Sequence, residues 1–277
     1  VKYLIILILV YLIFEFLINV DFNNFNFDTF HEGDFLSPAQ NYLFQNKIWS
    51  SALTVHGGSN TIYPLLAWKL FGYNTIGSFK IFITSLIFLV KIASIFLAFQ
   101  ITKISNLNHN YKKIFFVCIS ILLLSLSSYI SHLNYSAFSY RDLYIIIFFI
   151  FLIESIIGRS NVIVLVILSI IPFITITLHT DTGVYSYFMY ITYLFYLLTQ
   201  SKFREIVISL FSNFFIILLF YIFFGEQEIL NLFLNLYIIA SNVDLLFGLE
   251  FPAPIFEMGE TSQSTRGTKA LFSQLIA

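Results

Sequence analysis

A short acidic stretch follows the first long apolar run of the chain, at positions 28–40: Asp28-Thr29-Phe30-His31-Glu32-Gly33-Asp34-Phe35-Leu36-Ser37-Pro38-Ala39-Gln40. Ser37 and Gln40 have the spacing of a capping box, and Pro38 suits the first position of a helix. The pattern predicts a helix from Pro38 to about residue 48. Glu32 and Asp34 would then lie just outside its N-terminus, where the helix dipole favours negative charge. A solvated turn between membrane helices has a similar composition, so this stretch alone leaves its role open.

The composition of the chain predicts a membrane protein with several spans. Of its 277 residues, 58% are hydrophobic and only 10% are charged, whereas soluble domains carry about 25% charged residues. The mean hydropathy is +0.87, and several apolar runs reach the ~20 residues that cross a bilayer. A net charge of −1 argues against nucleic acid as a partner. The single cysteine, Cys118, lies in an apolar run and is predicted to be a small buried side chain.

Hydropathy predicts an all-α fold with about seven membrane spans in one domain covering residues 1–277. The predicted spans are roughly 2–18, 77–99, 114–130, 143–157, 162–178, 184–199 and 205–224. A further apolar segment, 229–249, is predicted to be interfacial or re-entrant, because its polar residues would be costly facing lipid: Asn231, Asn235, Asn242 and Asp244. Residues 270–277 turn apolar again, which favours another span beyond Ala277.

The distribution of basic residues predicts the orientation of these spans. Before the final segment, the opposite set of span ends carries only Lys47, Lys69 and Arg141, whereas one set carries seven basic residues: Lys2, Lys103, Lys112, Lys113, Arg159, Lys202 and Arg204. Because basic residues concentrate on the cytoplasmic side, we expect a cytoplasmic N-terminus and two large outer loops, at 19–76 and 225–277. The expected location is a bacterial inner membrane, with any site facing the periplasm or the exterior. A second short helix is predicted around 63–72, and the Trp, Tyr and Lys residues of both loop helices suit the headgroup region.

Polar residues concentrate on the predicted outer side, which indicates an outward-facing site. Besides the acidic stretch, this side holds His56-Gly57-Gly58-Ser59-Asn60, His132 to Asp142, His179 to Tyr185, and Glu257 to Lys269. Four of the five histidines lie there, and only His109 is predicted to lie inside. Each cluster alone is typical of a solvated loop, so the argument depends on their concentration on one side.

Charged residues within the predicted spans allow two interpretations. Lys91 lies in the middle of the second span, Glu15 lies toward the outer end of the first, and Glu154 lies near the inner end of the fourth. An ion pair between helices is the simpler interpretation of Lys91, and a transport path is the alternative.

A divalent cation is a further possibility at the acidic stretch. Carboxylate oxygens suit Mg²⁺ or Mn²⁺, and Glu32 and Asp34 are the candidate ligands. No spacing in the chain matches a strong metal motif such as His-Glu-x-x-His. The sequence therefore leaves the need for a metal open.

The first 85 residues resemble the GT-C class of membrane glycosyltransferases, in particular the group of aminoarabinose transferases and protein mannosyltransferases. That group carries Asp-Glu-x-x-Tyr-x-x-x-Ala after its first helix, and residues 31–39 stand in its place here, with Glu32, Phe35 and Ala39 matching. The stretch Tyr63-Pro64-Leu65-Leu66-Ala67-Trp68-Lys69-Leu70-Phe71-Gly72 is similar to the Pro-Leu-rich segment that ends in Leu-Phe-Gly. The chain departs from the pattern at His31, which replaces the leading Asp, the residue that the resemblance implies as the catalytic base.

The resemblance implies a glycosyltransferase that moves a sugar from a polyprenyl-phosphate donor to a lipid, glycan or protein acceptor at the outer membrane face. It implies a catalytic base at Glu32 or Asp34, assisted by His31, because the acceptor must lose a proton. The expected contacts of the donor phosphate and substrate are His56, Arg141, Asp181, Arg266 and Lys269.

The second outer loop adds two alternatives for its basic residues. Pro252 and Pro254 predict an extended segment over residues 251–264. Arg266 and Lys269 then either reach the donor phosphate, as the resemblance implies, or anchor a following span.

Two functions of other classes remain open beside the transferase. A transporter or flippase of an amphiphilic substrate would use Lys91 with Glu15 or Glu154. A non-catalytic membrane assembly subunit is favoured if His31, in place of the group's Asp, marks lost chemistry. The two active functions differ in whether they depend on Lys91 or on the carboxylates of the first outer loop.

Overall fold

A computed structural model describes residues 2–19, 29–50, 52, 54, 57–126, 139–159 and 161–241. Within these residues the fold is all-α, and no residue lies in a strand. The ten helices are α1 Lys2–Asn19, α2 Thr29–Gln45, α3 Ser59–Phe71, α4 Ile76–Ile104, α5 His109–Ser125, α6 Leu143–Glu154, α7 Val162–Leu178, α8 Thr180–Thr199, α9 Phe203–Phe224 and α10 Glu226–Ser241. A 3₁₀ turn, Tyr140–Asp142, precedes α6, and a π-helical turn, Ser155–Arg159, follows it.

Each of the seven predicted spans corresponds to one helix of the structure, namely α1 and α4 to α9. In the described part of the chain, two helices are long and apolar enough to cross a membrane, α4 and α9. The apolar parts of α1 and α7 are shorter, and a 17-residue helix rises only about 26 Å against a hydrocarbon core of about 30 Å. The all-helical fold class is therefore confirmed in the described residues, these two helices support association with a membrane, and all seven crossings stay predictions.

The core forms around α4, which packs against α1, α3, α5 and α6. Toward its start, Ile83, Ile87 and Val90 are buried in an apolar cluster with Tyr63 and Ala67 of α3. A second cluster joins α6, α7 and α8 around the buried side chains of Phe148, Leu168 and Leu197. In contrast, α9 exposes most of its apolar surface, as a lipid-facing helix would.

Ion pairs engage the three charged residues that were predicted to lie within the spans, Glu15, Lys91 and Glu154. The Lys91 ammonium group lies 2.5 Å from the Glu15 carboxylate, which confirms the ion-pair interpretation of Lys91. Glu154 accepts a hydrogen bond from the Gln100 amide at 2.7 Å and lies 3.5 Å from the Lys103 ammonium group. Because a buried charge is costly unless it is paired, these contacts give the three residues a structural role.

The predicted start of α2 was wrong. The helix begins at Thr29 rather than at Pro38, so Glu32 and Asp34 lie inside its first two turns and Ser37 does not cap it. Pro38 and Ala39 are both buried, and α2 packs along α3. Burial of this face offsets the helix penalty of an internal proline, about 3 kcal/mol, so the local capping signal did not decide where the helix begins.

Helix α3 is the second of the two helices predicted in the first outer loop. It ends where it was predicted to end, but it begins earlier. It ends at Phe71, where Gly72 adopts a left-handed conformation (φ 74°) and donates its N–H to the Trp68 carbonyl at 2.9 Å. It begins at Ser59, four residues before the predicted Tyr63. Left-handed backbone favours glycine, which gives the Leu-Phe-Gly ending a physical reason.

Two side-chain predictions are corrected by the structure. Three aromatic side chains that were expected to face the headgroup region, Trp49, Tyr63 and Trp68, are buried, whereas Phe44 and Tyr73 are exposed. The Trp68 indole donates to the Thr75 carbonyl at 3.1 Å. The position of the two loop helices in the headgroup region stays a prediction. Cys118 is exposed rather than buried, since it lies on a face of α5 that no other described helix covers.

Candidate functional site

A buried cluster of three tyrosines and one histidine lies where α3, α6 and the α7–α8 junction meet. The Tyr63 hydroxyl lies 2.9 Å from His179 Nε2 and 3.5 Å from the Tyr144 hydroxyl. The Tyr63 and Tyr140 rings both approach the His179 ring edge-on. We call these four residues the tyrosine–histidine cluster. It brings together two stretches that the sequence predicted to share one side, Tyr140-Arg141-Asp142 and His179 to Tyr185.

Two glycines hold the described part of the third polar stretch, residues 57–60, against the same junction. The Gly58 N–H donates to the Thr177 carbonyl at 2.9 Å. A Cβ at residue 57 would lie 2.6 Å from the Leu178 carbonyl oxygen, and one at residue 58 would lie 2.7 Å from that of Thr177. Gly57 also has a φ of 96°, a backbone conformation that residues other than glycine rarely adopt. These glycines are therefore required by a close backbone contact, and they place α3 beside His179.

Arg141 is the positive side chain described beside this cluster. Its guanidinium carbon lies 5.8 Å from the centre of the Tyr140 ring, and its side chain is half-buried. A capping box fixes the turn, because Ser139 Oγ accepts from the Arg141 N–H and Asp142 Oδ2 accepts from the Ser139 N–H. Arg141 is thus held at the rim of the tyrosine–histidine cluster, where it could meet an anion.

Burial dominates the acid–base behaviour of Tyr63. Desolvation raises the pKa of its phenol far above the usual value, and the neighbouring Tyr144 raises it further. The positive charge of Arg141 acts in the opposite direction, but its effect is smaller. The phenol therefore stays neutral, and it serves as a hydrogen-bonding group rather than as a base.

Three hydroxyl groups near the start of α3 add to the polar character of this end. Thr54, Ser59 and Thr61 are fully or almost fully buried, and their hydroxyls have no hydrogen-bond partner among the described residues.

The predicted catalytic residues lie on α2, which packs on the apolar core. His31, Glu32 and Asp34 lie in its first two turns, and their side chains fall outside the described part. Leu36, one helical turn after residue 32, packs against the apolar cluster formed by α3, α4 and α6.

The other predicted site residues are described in part or not at all. Asp181 lies in the first turn of α8, two residues after His179, and its side chain is outside the described part. His56, Arg266 and Lys269 lie outside the described residues, as do the predicted extended segment 251–264, Asn242 and Asp244. Within the described part, no group of three or more His, Cys, Asp or Glu residues could hold a metal ion. The side chains of the candidate ligands Glu32 and Asp34 lie outside that part.

Sequence reasoning missed several residues that the fold buries here. Tyr63 and Tyr144 were not predicted as site residues, because a tyrosine near a loop that contains histidine is only a weak signal. Glu228 lies in the predicted outer loop 225–277, yet it is buried against residues 48–50. Glu228, Asn231 and Asn235 lie at helical spacing i, i+3 and i+7, and this polar stripe in an apolar helix is the signal that could have found it.

Comparison with known proteins adds no relative. No family model, no curated protein and no solved structure matches the chain. The functional argument therefore depends on the residues and their geometry alone.

Proposed function

We propose that this chain is a glycosyltransferase that takes a sugar from a polyprenyl-phosphate donor, with its site at the end of the bundle that carries the tyrosine–histidine cluster. One observation carries the proposal: three polar stretches from distant parts of the sequence converge there. They are residues 57–60, Tyr140-Arg141 and His179. The motif resemblance of α2 and α3 to GT-C transferases supports the same assignment.

The proposed reaction needs a base, a cation and an entrance from the membrane. The acceptor hydroxyl or amine attacks the anomeric carbon, the carbon–oxygen bond to phosphate breaks, and polyprenyl phosphate leaves. Glu32 or Asp34, with His31, would receive the acceptor proton. Arg141 would stabilise the charge that develops on the leaving phosphate, because its guanidinium can bind phosphate through two hydrogen bonds. The exposed apolar face of α9 suits contact with lipid. A protein embedded in lipid can receive the long polyprenyl tail of the donor from the membrane.

The transport alternative is less well supported, because its motivating residue has a structural partner. Lys91 forms an ion pair with Glu15, and Glu154 is engaged by Gln100 and Lys103. A non-catalytic subunit remains an outcome of the test, since His31 stands where the resembled transferases have Asp.

Single alanine substitutions at Glu32 and Asp34 test the proposal. Glu32→Ala and Asp34→Ala are compared with Gln40→Ala, an exposed position on the same helix, at matched amounts in membranes. We expect one or both carboxylate variants to lose sugar transfer by about 100-fold or more, in line with loss of a general base, while Gln40→Ala keeps it. Full activity in both carboxylate variants would overturn the assignment of the base.

A further inference from the structure

A carboxylate of α10 binds the backbone of the turn that follows α2. Glu228 Oε2 accepts hydrogen bonds from the Ile48 and Trp49 N–H groups, each at 2.9 Å, and its other oxygen accepts from the Ser50 hydroxyl. The Asn231 amide donates to the Ser50 hydroxyl at 2.7 Å, and the Asn235 amide donates to the Trp49 carbonyl at 3.3 Å. The residues so joined lie about 180 positions apart in sequence. We call this set of contacts the α10 clasp.

The clasp is buried and reinforced by apolar packing. Glu228, Ile48 and Trp49 are all less than a tenth exposed, as is Leu232, which packs on the same cluster. The Trp49 ring lies 5.3 Å from the Phe220 ring and 5.6 Å from the Phe224 ring, both on α9. A buried carboxylate is tolerated when several donors satisfy it, and at Glu228 two N–H groups and a hydroxyl do so.

The clasped turn connects the two helices that lead to the proposed site. Asn46 ends α2 in a left-handed conformation (φ 54°), with its N–H donating to the Tyr42 carbonyl at 2.7 Å. At the other end of the turn, the Trp49 ring packs closely on Gly58. A Cβ added to residue 58 would lie 3.0 Å from the Trp49 ring. Gly58 is the residue that ties α3 to Thr177. Trp49 therefore lies between the end of α2 and the start of α3.

The geometry points to Glu228 as a positioning residue for the proposed transferase site: by holding Ile48, Trp49 and Ser50, it fixes α2, with its His31-Glu32-Asp34 stretch, relative to α3. This inference rests on the proposed function. Glu228 lies in α10, outside the elements that form the tyrosine–histidine cluster, so it acts through the turn. A small displacement of a catalytic group lowers the rate of the chemical step more than the affinity for substrate.

The test combines a physical probe of the turn with kinetics. The chain has two tryptophans, so Trp68→Phe leaves Trp49 as the only indole emitter. In this background Glu228→Ala is compared with Glu228→Gln and with Glu226→Ala, an exposed acidic residue two positions away. Gln can still accept the two N–H bonds and donate to Ser50, so it serves as the conservative variant. Protein amount and thermal midpoint are matched before the kinetics are compared.

We expect Glu228→Ala to shift Trp49 emission to longer wavelength, to increase its quenching by acrylamide, and to lower kcat about tenfold or more with KM for the donor little changed. Glu228→Gln and Glu226→Ala should behave like the parent. Unaltered Trp49 emission in Glu228→Ala would overturn the clasp. A released Trp49 with unaltered kcat would overturn the positioning role and leave the proposed function standing. A parent protein without transfer activity would overturn the proposed function, and the positioning role with it, whatever Trp49 reports.

Discussion

At the residue scale, Tyr63 is the side chain whose acid–base chemistry the fold alters by burial. The Tyr63 hydroxyl forms a hydrogen bond with His179 Nε2 at 2.9 Å, and desolvation raises the pKa of this phenol. An unfolded chain ionises a tyrosine near pH 10, whereas the folded chain keeps this phenol protonated at that pH. The unfolded state therefore binds fewer protons above pH 10, and stability falls as the pH rises through that range.

Replacing Tyr63 by Phe should remove this alkaline loss. At neutral pH we expect Tyr63→Phe to be about 1 kcal/mol less stable, because His179 loses a hydrogen-bond partner. Above pH 10 the parent should lose about 1.4 kcal/mol per pH unit from this group, so the gap between the two proteins should close. Thermal midpoints in detergent between pH 7 and 11 measure this, with the exposed Tyr73→Phe as control. Parallel curves for the parent and Tyr63→Phe would contradict the burial argument.

At the element scale, the structure shows which sequence signals were sufficient. Hydropathy predicted seven of the helices, α1 and α4 to α9, because a long apolar run has few stable conformations other than a helix. The start of α2 was missed, because the capping signal at Ser37 is local while the burial of Ala39 against α3 is tertiary. The α10 clasp was missed because its partners lie far apart in sequence. The polar stripe of α10 marks a face that needs partners, but it does not reveal which distant residues these are.

A glycine substitution tests how tightly α7 and α8 pack. A Cβ at residue 183 would lie 2.2 Å from the Ile176 Cα atom, so the two helices would have to separate. We expect Gly183→Ala to lower the free energy of unfolding by about 2 kcal/mol or more, as overpacking of tight contacts does. Unfolding in a denaturing detergent measures this. A variant as stable as the parent would contradict the close helix contact.

The same substitution at residue 33 tests the corrected start of α2. A Cβ there would meet no atom within 4 Å, and Gly in a helix costs up to about 1 kcal/mol relative to Ala. If α2 begins at Thr29, Gly33→Ala should be stabilising by up to about 1 kcal/mol, opposite in sign to Gly183→Ala. A destabilised Gly33→Ala variant would favour the non-helical turn that the sequence first suggested.

At the scale of the whole molecule, polar groups collect at two opposite ends of the bundle. The tyrosine–histidine cluster joins helix ends that the sequence assigned to the outer side. Lys103 and Glu154, assigned to the inner side, meet near the ends of α4 and α6. Which end faces the cytoplasm is a prediction from the basic residues.

Cysteine labelling in intact cells tests that orientation. Asn74 precedes α4 and Asn106 follows it, and both are exposed; Ser59 is fully buried and would label poorly. Cys118 is also exposed, so it is first replaced by Ala. We expect an impermeant maleimide to label Asn74→Cys in intact cells and Asn106→Cys only after lysis. The reverse pattern would place the proposed site on the cytoplasmic side.

The central claim is that this chain transfers a sugar from a polyprenyl-phosphate carrier, and consumption of that donor by purified protein tests it most directly. Purified parent protein and Glu32→Ala are each mixed with a polyprenyl-phosphate sugar and an extract of membrane acceptors. Released polyprenyl phosphate is then quantified over time. The account predicts release that grows with the amount of parent protein and is lost in the variant. Unchanged donor with folded parent protein, or equal release by both proteins, would contradict it.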